Sequence, residues 1–433
     1  MIERKVFESS LLCEKYDKIC HPSGLDIYVF PKKLTTAYAI FGVKYGSIHN
    51  SFILHDGSEI TVPDGIANFL EHKLFTNEDG SDSFERFSQY GADANAYTSF
   101  NKTAYLFSCT ENFENSLEEL IRFVTHPYFT EESVSSEVGI ISEEIKMYDD
   151  SPSDRCFYGM LEGMYKNHSI RRNICGSAES ISKITPQLLY ECYNRFYNLN
   201  NMALIVCGDI DTDTVLRIAD AELPKSSAPF VTEITNENKN EAPEVFMPLV
   251  VQKMQVSKPI FNIGIKDIDI PQDPIARQKK DAVMAILDEM IFSRAGALYS
   301  ALLEEELISP NMSYGYSISQ SFAYNSVAGE ADDPQKVLEK ILEFISTLRK
   351  EGLSYEDFLR GKRVMYSEFV KSFDSTDNIA NNLLSFVCED TELLSYADII
   401  NSVTFQDVNE AFISAFLPEH ITLSVILPLE NKN

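Results

Sequence analysis

Apolar positions recur with a period near two in some stretches and near 3.6 in others, and the alternation outlines an ordered series of strands and helices. Residues 25–31 and 36–45 alternate and are rich in β-branched and aromatic side chains, which predicts two strands. Residues 64–75 carry helical spacing, and Pro63-Asp64-Gly65 reads as its start, with Asp64 placed to cap the first free N–H groups. A short helix near 82–90 follows, then two strands within 94–108 around a turn at Asn101. Residues 113–125 read as a helix ended by His126-Pro127. Thr130-Glu131-Glu132 opens a long helix to about Tyr148, with Val134, Val138, Ile141 and Ile145 as its apolar stripe, and Asp149-Asp150-Ser151-Pro152 closes it. Thr185-Pro186 starts another helix, through Leu188, Leu189, Cys192 and Phe196, before the strongly apolar strand 202–207.

The second half repeats the first. A shift of about 219 residues carries Thr185, Gln187, Tyr197, Met202, Leu204 and Val206 onto Thr404, Gln406, Phe416, Ile421, Leu423 and Val425. A strand at 258–265, a helix at 278–292, a strand pair within 312–330 and helices at 334–349 and 354–372 keep the order of elements. The expected class is α/β (α+β): two tandem homologous domains, each a mixed, mainly antiparallel sheet packed with helices. Their bounds are 1–223 and 248–433, joined by the aperiodic linker 224–247, rich in Pro, Ser, Asn, Lys and Glu.

Within the helix at 64–75, Asn68, Glu71 and His72 stand at i, i+3 and i+4 and share one face. Burying unpaired Glu or His is costly, so a polar strip in an apolar helix calls for partners. The repeat maps Asn68, Glu71 and His72 onto Leu287, Met290 and Ile291, which is plain core. The fold itself therefore does not require the polar face. The spacing is that of His-x-x-Glu-His, the inverted zinc-peptidase motif, with Asn68 in the place of the first His. A hydrolytic zinc site needs three protein ligands and one open position, with a carboxylate to act as base on the metal-bound water. The long helix 131–148 offers Glu137, Glu143 and Glu144; Glu137 and Glu144 are seven apart, nearly on one face. Acidic residues on a helix are otherwise a solvated face, but Glu144 borders the apolar stripe at Ile141 and Ile145. His21, His49, His55, His126, His168 and His420 have no paired ligand spacing, and neither a Ser-His-Asp or Cys-His signature nor a phosphate-binding glycine loop is present.

Composition narrows the partners. The chain has 37 basic and 66 acidic residues, a net charge of −29, which argues against nucleic acid and anionic membrane surfaces. The first residues contain no apolar core of a signal peptide, and no run of ~18 apolar residues is present, so neither secretion nor a membrane span is expected. The eight cysteines are scattered, without a C-x-x-C pair, as reduced thiols of a cytoplasmic protein would be.

The sequence resembles the pitrilysin/insulinase family of zinc metallopeptidases, in particular its bacterial short-subunit branch related to mitochondrial processing peptidase. The landmarks are Asn68-Phe-Leu-Glu-His72 with Lys-Leu-Phe after it, Gly91-Ala-Asp-Ala-Asn-Ala-Tyr-Thr-Ser99, Glu137 with Glu144, and Asn201-Met-Ala-Leu-Ile-Val-Cys-Gly-Asp209. The resemblance implies one zinc ion, with Glu71 as general base, His72 and Glu144 as ligands, Asn68 in the position of a third, and Glu137 as a supporting acid. It implies that Ala94, Asn95, Ala96 and Tyr97 form a strand edge to which an extended peptide adds. It also implies a two-domain subunit forming half of a clam-shell chamber, paired with a second family subunit as a heterodimer in preference to a homodimer. Two departures stand out: Asn68 itself, a poor zinc donor beside imidazole, and the family's second-half Arg, whose place within 298–308 is taken by Leu303 or an acid. The expected function is a subunit of a zinc-dependent endopeptidase, weakened or inactive at Asn68. The alternative is a natural non-catalytic subunit for peptide binding or assembly.

Overall fold

The computed structural model describes residues 3–53, 57–227 and 241–429. His55 and most of the 224–247 segment lie outside the described residues. The chain divides into two compact units, each a sheet covered by helices. The first comprises Met1–Ile145, Asn173–Asn236 and Val370–Ser395; the second comprises Lys146–Arg172, Glu237–Phe369 and Tyr396–Asn433. The fold is thus the expected mixed α+β class, and each unit takes one helical segment from the other half of the sequence.

The first unit is built on a seven-stranded sheet in the order Glu3–Ser9, Glu14–Cys20, Asp26–Pro31, Met202–Gly208, Ala37–Val43, Thr103–Cys109, Asp93–Thr98. Every pairing is antiparallel except that of Asp26–Pro31 with Met202–Gly208. The two central strands, Ala37–Val43 and Met202–Gly208, are buried along their whole length, as their continuous apolar runs require. One face is covered by the helix Thr376–Cys388, which packs on both of them. The motif helix Ile66–Lys73 packs against the outer strands Asp93–Thr98 and Thr103–Cys109.

The second unit holds a five-stranded sheet in the order Leu249–Met254, Ile421–Pro428, Ile260–Asp267, Ala323–Glu330, Ser313–Ile318. The helix Pro152–Met164 covers it, packing on Ile421–Pro428 and Ile260–Asp267. The internal repeat is visible in detail. Thr185 and Thr404 each cap a helix, accepting from Leu188 N–H and Asp407 N–H, and each helix leads into a central strand. Each of these strands is parallel to one neighbour and antiparallel to the other.

Several elements depart from the expected pattern. The charged hairpin Glu3–Ser9/Glu14–Cys20 extends the first sheet. The long helix ends at Asp150 as expected, but Ser151 at once caps a further helix, Pro152–Met164, that the sequence pattern did not indicate, accepting from Asp154 N–H. Asp64 does not cap the motif helix: the N-cap is Gly65, at φ 89°, and no side chain caps the helix. The left-handed turn leaves Asp64 Oδ1 to accept from Asn50 Nδ2 at 2.8 Å.

Candidate active site

The site lies wholly in the first unit and is assembled from two helices and the last strand of the sheet. The motif helix is apolar enough to be buried on nearly all sides, with Ile66, Phe69 and Leu70 in the core. Asn68, Glu71 and Lys73 are buried with them, at 5%, 7% and 3% exposure. Buried polar groups need partners, and the helix Glu131–Asp150 supplies one for Lys73 and two for the neighbouring His72. Its Val134, Ile141 and Ile145 face the core, with Glu137 buried on the same side.

His72 is held between two carboxylates: Nδ1 lies 3.3 Å from Glu137 Oε1 and Nε2 lies 3.2 Å from Glu144 Oε2. Lys73 reaches the other Glu137 oxygen, Nζ to Oε2 at 3.1 Å, and donates to Thr76 Oγ1 at 3.2 Å. Burial works against a charged imidazole, but Glu137 and Glu144 outweigh it and hold the His72 pKa at about 10. Burial likewise works against a charged Glu137, yet His72 and Lys73 bring its pKa below the usual carboxylate range. Glu71 stands apart from this ion-pair chain. Burial lifts its pKa to about 7, although the Thr98 hydroxyl donates to Oε2 at 2.6 Å and Asn68 donates from its amide.

The two helices thus bring Glu71, His72, Glu137 and Glu144 together. Ala94, Asn95, Ala96 and Tyr97 lie beside them on Asp93–Thr98, the outermost strand of the sheet. Among the described residues no further strand pairs with its outer edge, and Ala96 N–H is bonded instead by the side chain of Asn95, at 2.9 Å. Tyr97 points the other way and donates to Asn381 Oδ1 on the helix Thr376–Cys388.

Three residues beyond those expected belong to the site. Thr98 is the next residue on the face of Ala94 and Ala96, so strand periodicity already places it there. Lys73 follows His72 directly and is one of the least exposed charged residues. Cys175 is buried against the start of the motif helix, and burial together with its hydrogen bond to Glu144 pushes its thiol pKa up. Thr98 and Lys73 carried a local signal, Thr98 by strand periodicity and Lys73 as a cation between His72 and the apolar Leu74-Phe75, whereas Cys175 carried none.

Residues 53–178 match the family described as Insulinase (Peptidase family M16), and residues 183–365 match the Peptidase M16 inactive domain. The uncharacterized zinc protease YmfH of Bacillus subtilis (strain 168) is 37% identical over 430 residues, spanning 99% of both chains. The chain belongs to the M16 peptidase family. A second B. subtilis M16 relative, the uncharacterized zinc protease YmxG, is 24% identical over 392 residues, 87% of this chain and 91% of that protein. Among solved structures, an M16-like peptidase from Alicyclobacillus acidocaldarius superposes with a TM-score of 0.90 at 29% identity, covering 99% of each chain. A protease from Helicobacter pylori shares the fold, with a TM-score of 0.81 at 17% identity over 96% of this chain.

The zinc protease names of these M16 relatives imply a zinc ion, and the donor set can be tested against it. His72 Nε2 and Glu144 Oε2, 3.2 Å apart, are separated by about the ~3.3 Å of two donors on one tetrahedral zinc. Glu137 on Nδ1 is the carboxylate that a metal-bound imidazole usually carries. The third donor does not fit. Asn68 offers an amide oxygen, a weak ligand for zinc, although Asn68 Oδ1 is buried and accepts no hydrogen bond. Among the described residues no three His, Cys, Asp or Glu side chains are grouped as a metal site requires. The set is two-thirds of a zinc site and not a complete one.

Proposed function

We propose that this chain is a subunit of a zinc-dependent endopeptidase acting on peptides or unfolded segments, with its own metal site weakened or silenced at Asn68. One observation carries the proposal: Glu71, His72, Glu137 and Glu144, drawn from two helices, stand together around a face that the second half of the same chain fills with Leu287, Met290 and Ile291. Glu71, with a pKa near 7, is suited to the role of general base at neutral pH. The open edge of Asp93–Thr98, with Ala94, Asn95, Ala96 and Tyr97, supports capture of an extended peptide by strand addition, which fixes backbone and leaves side-chain choice loose. The resemblance supports a closed chamber completed by a second M16 subunit, as a heterodimer. The eight free cysteines support a reducing, cytoplasmic setting.

The unpartnered amide oxygen of Asn68 favours a second reading, a peptide-binding subunit that does not cleave. The two are separated by measuring zinc content and cleavage of an unstructured fluorogenic peptide, for the chain as it stands and for Asn68→His, each with and without a co-purified partner. The expected result is little zinc in the chain as it stands, and about one equivalent with measurable cleavage in Asn68→His. An Asn68→His chain that takes up no zinc and cleaves nothing in the partner's presence overturns the peptidase reading. Tight, stoichiometric zinc in the unaltered chain overturns the role given to Asn68.

A further inference from the structure

Thr98 is the last residue of the open edge strand Asp93–Thr98, and its hydroxyl meets Glu71 Oε2 at 2.6 Å. Among the described residues this contact joins the strand edge directly to the carboxylate of the motif helix. The ionised Glu71 carboxylate can only accept, so the Thr98 hydroxyl is the donor. Thr103, fully buried and paired with Thr98 in register, donates its own proton to the carbonyl of Tyr45 at 2.8 Å. Thr98 Oγ1 lies 3.3 Å from Thr103 Oγ1, but with the Thr103 proton on Tyr45 and the single Thr98 proton on Glu71, that approach is a contact with no proton between the two hydroxyls. The chain of contacts therefore runs from the sheet interior, through Thr103 and Thr98, to one named oxygen of Glu71. Thr98 and Thr103 are the terminal pair of the hairpin on which Asp93–Thr98 is carried.

We propose that Thr98 is a positioning residue that orients the Glu71 carboxylate from the peptide-binding strand. A peptide pairing with the open edge of Asp93–Thr98 settles the strand that carries Thr98, and the hydroxyl transmits that setting to Glu71. Peptide register and carboxylate geometry are in this way coupled through a single hydrogen bond. The inference rests on the peptidase reading for Glu71's task, but not for the hydrogen bond itself.

The test uses Thr98→Val, which keeps the shape and removes the donor, and Thr98→Ser, which restores the donor. The first measurement is structural and needs no activity: crystal structures of both variants in the unaltered background. Thr98→Val is expected to leave the backbone in place and turn the Glu71 carboxylate away by more than about 1 Å, with Thr98→Ser returning it. The second is kinetic, in the Asn68→His background with an unstructured peptide. Thr98→Val is expected to lower kcat roughly 10- to 100-fold with KM nearly unchanged, and to move the acid limb of the pH profile upward, since a donor to the carboxylate is lost. Thr98→Ser is expected to recover most of the rate. An unmoved carboxylate in Thr98→Val, or a Thr98→Ser protein that behaves like Thr98→Val, overturns the proposal. An inert Asn68→His parent overturns the peptidase reading instead, and the structural comparison still decides the role of Thr98.

Discussion

Lys73 and Glu137 form a buried ion pair, Nζ to Oε2 at 3.1 Å, directly beside the His72 that holds the other oxygen of the same carboxylate. Both charges lie out of water, with side-chain exposures of 3% and 11%. Removing one partner of such a pair strands the other. Lys73→Met is therefore expected to cost about 2–4 kcal/mol, moderated by the imidazole that remains on Glu137. Adding Glu137→Gln should recover part of the loss, giving a coupling energy of about 1–3 kcal/mol in a double-mutant cycle read by urea unfolding. A coupling near zero would show that the two residues act independently.

Gly65 opens the motif helix at φ 89°, and a Cβ there would stand 2.3 Å from the carbonyl oxygen of Cys175. Strain and overlap therefore act together. Gly65→Ala is expected to destabilise the chain by more than about 2 kcal/mol. Gly80 separates the two contributions: its φ is 78°, but a Cβ there meets no described atom within 4 Å. Gly80→Ala should cost only about 1 kcal/mol, the left-handed conformation alone. Thermal unfolding of both variants checks the difference, and equal losses would remove the role given to the Cys175 contact.

The same helix shows what the sequence made legible. Helical spacing was enough to place Asn68, Glu71 and His72 on one face, and the seven-residue spacing of Glu137 and Glu144 put them on one side of a second helix. These are local patterns, and they survive folding. Thr98 escaped because its importance comes from a hydrogen bond between a strand and a helix 27 residues apart in sequence. Asp64 was misread as a cap because a side chain was credited with a turn that the Gly65 backbone makes. The helices Pro152–Met164 and Thr376–Cys388 each cover a sheet whose strands come mostly from the other half of the sequence. Their apolar faces fit either sheet, so no local pattern says which one they join. The hairpin Glu3–Ser9/Glu14–Cys20 was hidden by its charges, since an outer strand with an exposed face need not alternate apolar residues.

In the second unit Asp288 is buried on the helix Pro274–Phe292, and Asn325 Nδ2 donates to both of its oxygens, at 2.6 and 2.8 Å. Burial outweighs that donation and raises the Asp288 pKa to about 8. A carboxyl group with a folded-state pKa above its unfolded value of roughly 3.9 favours the fold fully only below that value, and its contribution is lost as pH rises through about 8. Asp288→Asn keeps the shape and an acceptor for Asn325 and cannot ionise. The stability of Asp288→Asn relative to the parent is therefore expected to grow by a few kcal/mol between pH 5 and pH 9. Urea unfolding at pH 5, 7 and 9 measures this, and a difference that does not vary with pH would place the proton elsewhere.

Asn68 and Leu287 occupy equivalent places in the two halves, and their environments predict opposite responses to exchange. Leu287 is fully buried among apolar neighbours on Pro274–Phe292. Putting an amide there leaves polar atoms to be satisfied in a site built for an aliphatic chain, and Leu287→Asn is expected to cost about 3–4 kcal/mol. Asn68 already bears part of that cost, because its buried Oδ1 accepts no hydrogen bond. Its Nδ2 donation to Glu71 returns only a fraction of it. Asn68→Leu is therefore expected to stabilise the first unit by about 1 kcal/mol, the reverse of the usual effect of altering a buried residue. A chain free to drift toward stability would make that exchange, so a gain in the urea midpoint would mean that the polar face of the motif helix is kept for what it does. A loss of stability in Asn68→Leu would mean instead that the amide is structural, and that the polar face stabilises the first unit in its own right.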